Sequence, residues 1–222
     1  MKRCRSVTDA PPRTEYERMD GTFDLLLSFC LGLGLAAACG FRVFVPLLVM
    51  SLASRAGHLS LGSSFDWISG DAALAALAVA TALEIGAYFV PWLDNLLDTA
   101  AIPVAAVAGT LATAAVITDA SPLLSWTLAV IGGGGVATGV QGLTTLARGT
   151  SSMTTAGFGN PVIAAGELGG SLGLSLLSLV MPVLAALLAV SLLLAVTLQM
   201  IRRPQRDKAL STSVSRAQAG EE

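Results

Sequence analysis

The sequence predicts an all-α bundle of membrane-spanning helices, and three observations support this fold class. Of its 222 residues, 54% are hydrophobic and 13% are charged, about half the charged fraction of an average soluble domain. The mean hydropathy is +0.73. The apolar residues lie in runs long enough to cross a bilayer, which takes roughly 20 residues in a helix. This composition excludes a disordered chain, a disulfide scaffold and most soluble folds, and it implies a lipid bilayer as partner.

The basic residues lie mainly in two polar tails that flank the apolar region. The tails are residues 1–22 and 202–222, and residues 23–201 are the predicted transmembrane domain. Short basic tails beside apolar segments are typical of cytoplasmic segments, so we expect both termini in the cytoplasm and an even number of spans. The start of the chain has no early apolar run, so no signal peptide is predicted. The formal net charge of −2 gives no indication of nucleic-acid binding.

Six spans are predicted. They are about residues 23–52, 72–90, 102–117, 123–146, 161–179 and 181–200. The first is long for one crossing, and Gly40, Arg42 and Pro46 interrupt it, so we expect a kink or an unwound turn near the sequence CGFRVFVP. The last two are separated at the sequence VMP (180–182), and one long kinked helix is the alternative.

A polar segment separates the fourth and fifth spans. Its sequence, ARGTSSMTTAGFGN, is rich in glycine and hydroxyl residues, so we expect a loop that ends where Asn160 and Pro161 restart a helix. This loop is either a plain connector or, with Arg148 beside a helix N-terminus, a gate or a substrate lip. It lacks the GxxxxGK[ST] pattern of a phosphate-binding loop.

A faint internal repeat relates the two halves of the apolar region. The second span contains ALEIGA around Glu84, and the fifth contains AGELGG around Glu167. The first and fourth spans carry Arg42 and Gln141 at similar depth. Two inverted three-helix repeats are one interpretation of this similarity, because such repeats build many secondary transporters.

Three ionisable residues within apolar segments are the main functional signal. A charge at the bilayer centre costs about 2.5–3.5 kcal/mol on insertion scales, so such groups face protein or water, or lose their charge. Arg42 keeps its charge, whereas Glu84 or Glu167 can take a proton. The three residues predict a proton or ion pathway, with Gln141 and Asn160 as polar liners. The alternative is an Arg–Glu pair that locks helices together.

A second candidate site is acidic and lies on the predicted cytoplasmic side. Asp94 and Asp98 share one face of a helix, and two carboxylates so placed can hold a divalent cation. The pattern DNLLD is short and no second acidic cluster accompanies it, so a solvated acidic pair near Arg148 is favoured. No metal and no cofactor is predicted, because His58 is the single histidine and excludes a Cys/His zinc site or a bis-histidine haem.

The leading functional hypothesis is a transporter or channel for a small solute or ion, coupled to protons through Glu84 and Glu167. One alternative is a membrane-embedded, metal-dependent enzyme acting on a lipid or pyrophosphate headgroup. An enzyme is not favoured, since no nucleophile–base pair is visible in the sequence. The other alternative is a structural or assembly protein whose buried charges fix packing. A homo-oligomer is compatible with each of these functions.

Three segments resemble a family of bacterial membrane proteins, the domain of unknown function 4126. They are GFRVFVPLL (40–48), EIGAYFVPWLDNLLDT (84–99) and GFGNPV (157–162). The resemblance covers about residues 28–195 and leaves out both tails. It implies a multi-pass protein of a bacterial inner membrane, and it places the arginine and the glutamate of these segments within shared motifs. It implies no activity and no catalytic residue.

Overall fold

The fold consists of helices. The computed structural model describes residues 15–87, 91–118, 120–155, 159–195 and 197–198, with side chains except for residues 15–20 and 91–99. In chain order the elements are α1 (Glu15–Phe41), α2 (Phe44–Arg55), a 3₁₀ helix (Ser63–Ser69), α3 (Asp71–Gly86), α4 (Pro91–Val116), α5 (Pro122–Leu128), a π-helical segment (Ala129–Gly134), α6 (Gly135–Thr155), α7 (Asn160–Val180) and α8 (Pro182–Ala195). The predicted all-α class is confirmed.

The central helix is α1, which packs against α4, α6 and α7. Its residues 35–39 are fully buried. Two neighbouring helices donate hydrogen bonds to its backbone: the Thr113 hydroxyl lies 3.1 Å from the Gly32 carbonyl oxygen, and the Ser171 hydroxyl lies 3.0 Å from that of Ala38. Glycine, alanine and serine allow this close approach, which is how membrane helices gain packing and hydrogen bonds without a hydrophobic driving force between them.

The chain reverses direction between α1 and α2, so these helices form a hairpin. The contacts of α4 demonstrate the reversal, since Thr113 contacts Gly32, and Ala115 accepts a hydrogen bond of 2.8 Å from the backbone N–H of Gly62. The chain has therefore returned to the depth of Gly32 by residue 62. The break predicted near CGFRVFVP is present. The segment 23–52, predicted as one interrupted span, is divided between two helices that run in opposite directions.

A second hairpin joins α7 and α8, with its turn at Met181. Ser178 of α7 and Ala185 of α8 both lie against Gly34 of α1. The two helices must run side by side, because residues seven apart in one straight helix are about 10 Å apart along its axis. The chain therefore breaks within 180–182, as the sequence predicts.

Two helical stretches are longer than predicted. α4 continues through Pro103 and includes the LDNLLDT segment. The stretch Pro122–Thr155 is helical throughout, so the predicted loop ARGTSSMTTAGFGN is corrected over its first nine residues. The hydroxyl groups of this stretch find their partners inside the helix, because Thr150, Thr154 and Thr155 donate hydrogen bonds of 2.7–2.9 Å to carbonyls four residues earlier. These bonds are made within the helix instead of competing with it.

The described helices are those of a membrane protein. Gly21–Phe41, Pro122–Thr155 and Asn160–Val180 are each long and apolar enough to cross a bilayer, and the 3₁₀ helix with α3, bent by 63°, brings the number to four. Large apolar side chains such as Leu123 and Ile131 are exposed on the outside, as expected of lipid-facing residues. The six-span count, the inverted repeats and the cytoplasmic position of both termini stay predictions.

The loop after α2 and the last turns of α6 lie far apart along the axis of the bundle. The loop is at the depth of Gly32, as the Gly62 contact requires. α6 runs the other way, since Val140 contacts Gly40 near the end of α1 and the helix then continues for four turns.

We therefore expect Ser60 and Thr154, both exposed, to face opposite sides of the membrane. Single cysteines at these positions, in a chain without its native cysteines, would be labelled by a membrane-impermeant maleimide from opposite sides of sealed vesicles. Labelling of both from the same side would contradict the antiparallel arrangement of α2 and α6.

α4 crosses the π-helical segment at a contact that only glycine allows. A Cβ atom on Gly133 would overlap the hydroxyl of Thr113 and lie 2.5 Å from the carbonyl oxygen of Gly109. A Cβ atom on Gly135, two residues later, would have no neighbouring atom within 4 Å.

We expect Gly133→Ala to lower the free energy of unfolding by about 1–3 kcal/mol, because an overpacked contact forces the backbone apart. Gly135→Ala is the matched control and should be neutral or stabilising, since alanine favours a helix by up to about 1 kcal/mol over glycine. Denaturant unfolding in detergent, followed by circular dichroism, measures both variants. Equal effects would argue against this close crossing.

Candidate functional site

Arg42 lies in the turn between α1 and α2, and only 3% of it is exposed. Its guanidinium reaches two other helices. Nη1 donates to the carbonyl oxygen of Glu84 in α3 at 3.4 Å, and Nη2 donates to that of Ala164 in α7 at 3.1 Å. Nη2 also lies 3.7 Å from Oε2 of Glu167. The predicted intramembrane arginine is therefore the point where the α1–α2 turn meets α3 and α7.

The carboxylate of Glu84 caps the N-terminus of α2. Its Oε1 accepts a hydrogen bond from the Val43 backbone N–H at 2.7 Å, and its Oε2 accepts one from Phe44 at 3.1 Å. The first N–H groups of any helix lack partners within the helix and carry a partial positive charge. The apolar side chain of Val43 cannot accept hydrogen bonds from these groups, and Pro46 has no N–H. Glu84 supplies the missing acceptor from another helix.

Glu167 is shared by two arginines. Its Oε1 accepts a hydrogen bond from Nε of Arg148 at 3.0 Å, and its Oε2 accepts a second one from Nη2 of the same residue. This is the bidentate geometry in which a guanidinium binds a carboxylate most strongly. Arg42 approaches the same Oε2 atom from the other side. Glu167 is 4% exposed and the Arg148 side chain 12% exposed, so the pair is nearly removed from solvent.

Together these four residues form what we call the charge cluster: Arg42, Glu84, Arg148 and Glu167. It contains two positive and two negative groups, so its formal charges cancel. The residues come from the α1–α2 turn and from α3, α6 and α7. Burying charges is costly, and pairing with hydrogen bonds is what makes it tolerable. The cluster lies at the level where α1 stops, beyond the small-residue contacts of its middle turns.

The two predicted polar liners lie on the helices that carry Arg148 and Glu167. Gln141 is 8% exposed and lies seven residues before Arg148, so both are on one face of α6. Asn160 lies seven residues before Glu167 on α7, and its Nδ2 donates to the Ser152 hydroxyl at 3.1 Å. They therefore flank the Arg148–Glu167 pair on either side along the helix pair.

Asp94 and Asp98 are both in α4, but their side chains lie outside the described residues. Their predicted association with Arg148 stays a prediction. In the part of the chain whose side chains are described, no three His, Cys, Asp or Glu residues come together as metal ligands.

The partnership of Arg148 with Glu167 is the feature that the sequence analysis misses. The predicted loop covers residues 147–160, and a loop gives no reason to align the two residues. One signal was available. Arg148 and Glu167 lie almost equally far from the connection between α6 and α7, and residues so placed face each other across an antiparallel helix pair.

Two apolar grooves lie on the surface of the bundle. One, of about 490 Å³, runs between α4 and the α5–α6 stretch and is lined by Thr110, Trp126 and Gly134 among others. The other, of about 500 Å³, lies between α7 and α8 beside Phe41 and Leu188. Neither groove is lined by a charged residue.

We expect Glu167→Gln to destabilise the protein by about 3–5 kcal/mol, because it leaves buried arginine charge without its counter-ion. A double-mutant cycle with Arg148→Gln should give a coupling energy of about 1–3 kcal/mol. The control cycle uses Arg55 and Asp71, an ion pair whose side chains are 38% and 91% exposed. Its coupling should stay below about 1 kcal/mol. Unfolding in mixed detergent micelles measures both, and equal couplings would refute the structural importance of the buried pair.

Comparison with known proteins adds the family. No curated protein and no solved structure matches this chain. Residues 29–203 match the family described as a domain of unknown function, DUF4126. The matched region contains every residue of the charge cluster, both polar liners and all helices from α2 to α8. With most of its length covered, including the segments on which the resemblance was based, the chain belongs to the DUF4126 family.

Proposed function

We propose that the protein moves a small solute or ion across the membrane, and that the charge cluster is part of its pathway. One observation carries the proposal: four ionisable side chains, three of them less than 10% exposed, meet inside an otherwise apolar bundle. Ionisable residues within membrane-spanning regions are rare because of their cost, and they mark substrate, ion or proton pathways.

The break between α1 and α2 supports this proposal. Transporters commonly bind their substrates where helices are discontinuous, because the exposed helix ends supply N–H donors and carbonyl acceptors that a continuous helix does not. Here the turn at Arg42 leaves N–H groups at the start of α2 without partners inside the helix, and Glu84 accepts their hydrogen bonds. The Arg42 guanidinium meets carbonyl oxygens of α3 and α7 at the same place. The polar groups of a binding site are thus gathered around one helix break.

The two glutamates have different roles in this proposal. Glu167 is held between two arginines, and its Oε2 already lies 3.7 Å from Nη2 of Arg42. A small shift of α7 would bring Glu167 closer to Arg42 and farther from Arg148. The site would then have two closely related states, which differ in the arginine that pairs more strongly with Glu167. Glu84 holds α2 by backbone hydrogen bonds. A proton on its carboxylate would weaken that hold and loosen the turn beside the pathway.

A structural role for the cluster is the second candidate, and a specific observation favours it. The contacts of Arg42 and of the two glutamates given above all join one helix of this chain to another. Such contacts fix the relative positions of α2, α3, α6 and α7 whether or not anything passes between them. This candidate predicts loss of stability and no flux.

The test is flux in proteoliposomes that contain the purified protein and a trapped pH dye, under imposed proton, sodium, potassium and chloride gradients. We expect flux above that of protein-free vesicles, and loss of most of it in the Glu84→Gln/Glu167→Gln double variant. Arg55→Gln, which removes an exposed ion pair at the other end of the bundle, is the matched control and should keep full flux.

Three results would decide against transport through the cluster. They are absence of flux under every gradient, unchanged flux in a folded double variant, and equal loss in Arg55→Gln. Should the double variant fail to fold, the single variants Glu84→Gln and Glu167→Gln replace it, since each keeps the size of the side chain. Melting temperature and elution volume establish that every compared variant is folded.

A further inference from the structure

We infer that the proton is the substrate of the pathway, and that internal water bound at Thr81 and Asn160 carries it to and from the charge cluster. The inference rests on the proposed function, because it names the substrate of the same pathway. Two buried polar atoms in the described part of the chain, Oγ1 of Thr81 and Oδ1 of Asn160, have no hydrogen-bond partner. Each lies on the helix of one cluster glutamate.

Thr81 faces the interior beside Glu84. α3 consists largely of alanine, leucine and valine, yet its buried residues are Thr81 and Glu84, each 9% exposed. Residues three apart on a helix share a face and lie about 4.5 Å apart along its axis. The Thr110 hydroxyl donates to a carbonyl four residues earlier in its own helix, whereas the Thr81 hydroxyl finds no acceptor. Leaving a buried polar atom unpartnered is costly, and internal water is the usual partner.

Asn160 has a similar relation to Glu167. It lies seven residues earlier on α7, on the same face and about 10.5 Å away along the axis. Its Nδ2 donates to the Ser152 hydroxyl at 3.1 Å, so the orientation of the amide is fixed, while its buried Oδ1 accepts no hydrogen bond. Water is therefore expected at this second position as well.

The two positions flank the cluster along the axis of the bundle. α3 is antiparallel to α2, because Ser51 near the end of α2 bonds to Ile68 just before α3, and Glu84 near the end of α3 bonds to the start of α2. α3 is thus parallel to α1, whereas α7 is antiparallel to α1 by its contacts with Ala38 and Gly34. Each unpartnered residue precedes the glutamate of its helix, so the two lie on opposite sides of the cluster. Polar groups thus extend over at least about 15 Å, half of a typical hydrocarbon core.

The small number of polar atoms at each position favours water over a larger ion. A hydroxyl or an amide oxygen, together with neighbouring carboxylate or hydroxyl oxygens, can supply the two to four hydrogen bonds of a buried water. A metal cation needs several oxygen ligands in place of its hydration shell. Carboxylates in series within a membrane are typical of proton relays. The proton is therefore the ion that this line of groups fits.

The transfer balances in atoms and charge. A hydronium ion beside Thr81 gives a proton to one oxygen of the Glu84 carboxylate, which leaves a water molecule and a carboxylic acid. The acid then gives its proton to water on the opposite side of the cluster, and the carboxylate is restored. The described ionisable groups that act on Glu84 are Arg42, Glu167 and the Cys39 thiol. Glu84 carries the proton, and Thr81 is a positioning residue for the water that delivers it.

Infrared difference spectroscopy of the protein in lipid tests the bound water. Spectra at acidic and neutral pH contain the band of the protonated carboxyl, which Glu84→Gln assigns by removing it. Thr81→Val removes the hydroxyl and keeps nearly the same shape. We expect it to raise the frequency of the Glu84 band, because the carboxyl loses a hydrogen bond, and to remove a water band that shifts in water labelled with heavy oxygen. Thr110→Val, which removes a hydroxyl from α4, is the matched control and should change neither band. Unchanged bands in Thr81→Val would overturn the inference.

Flux in proteoliposomes tests the substrate. We expect a proton flux that persists when sodium, potassium and chloride are replaced by N-methylglucamine and gluconate. Thr81→Val should lower this flux at least about tenfold, whereas Thr81→Ser, which keeps a hydroxyl, should retain it. Should Thr81→Val not fold, Asn160→Leu takes its place and should lower the proton flux in the same way. Full proton flux in the folded variant would overturn the inference.

This inference and the proposed function fail in different ways. Absence of flux under every gradient would refute the proposed function, even if the water band were lost in Thr81→Val. Flux of another ion that Thr81→Val leaves unchanged would refute this inference alone.

Discussion

The carboxylate of Glu84 on the first N–H groups of α2 is the contact on which the arrangement of the bundle depends. A chain that reverses inside an apolar environment exposes peptide groups that lipid cannot satisfy. The Glu84 oxygens accept hydrogen bonds from the first N–H groups of α2. These groups at the reversal after α1 therefore do not need water as a partner. Because the chain turns there, Arg42 is directed at α3 and α7 instead of continuing along α1.

The small residues of α1 allow α7 to approach closely enough for the charge cluster to form. Ser171 and Ser178 of α7 lie directly on the backbone of α1 at Ala38 and Gly34. With the two helices this close, a guanidinium at the end of α1 spans the remaining gap to Ala164. Larger side chains along the α1–α7 contact would separate the helices and leave buried charges without partners. The charge pairs at the end of α1 therefore depend on the close packing of its middle turns.

The sequence is informative about local structure and less so about contacts between distant segments. Pro46 and Pro182 predict the two breaks, since proline limits helix continuation, and both breaks are present. The extension of α6 is missed because threonines are typical of loops, yet here their hydroxyls bond back to the helix. The burial of Arg42 follows from its apolar neighbours in the sequence. Nothing local predicts that Glu84 caps α2, because the two elements are about 40 residues apart.

The short length of α2 has a consequence for the surrounding lipid. Its 12 residues rise about 18 Å, and the 16 residues of α3 rise about 24 Å, whereas a typical hydrocarbon core is about 30 Å thick. Beside α2 the apolar surface is therefore shorter than an undisturbed bilayer, whereas α3 reaches a spanning length only together with the 3₁₀ helix before it. Lipids there must thin or tilt, at a cost that grows with acyl chain length. We therefore expect bilayer thickness to act on the helix that Glu84 holds.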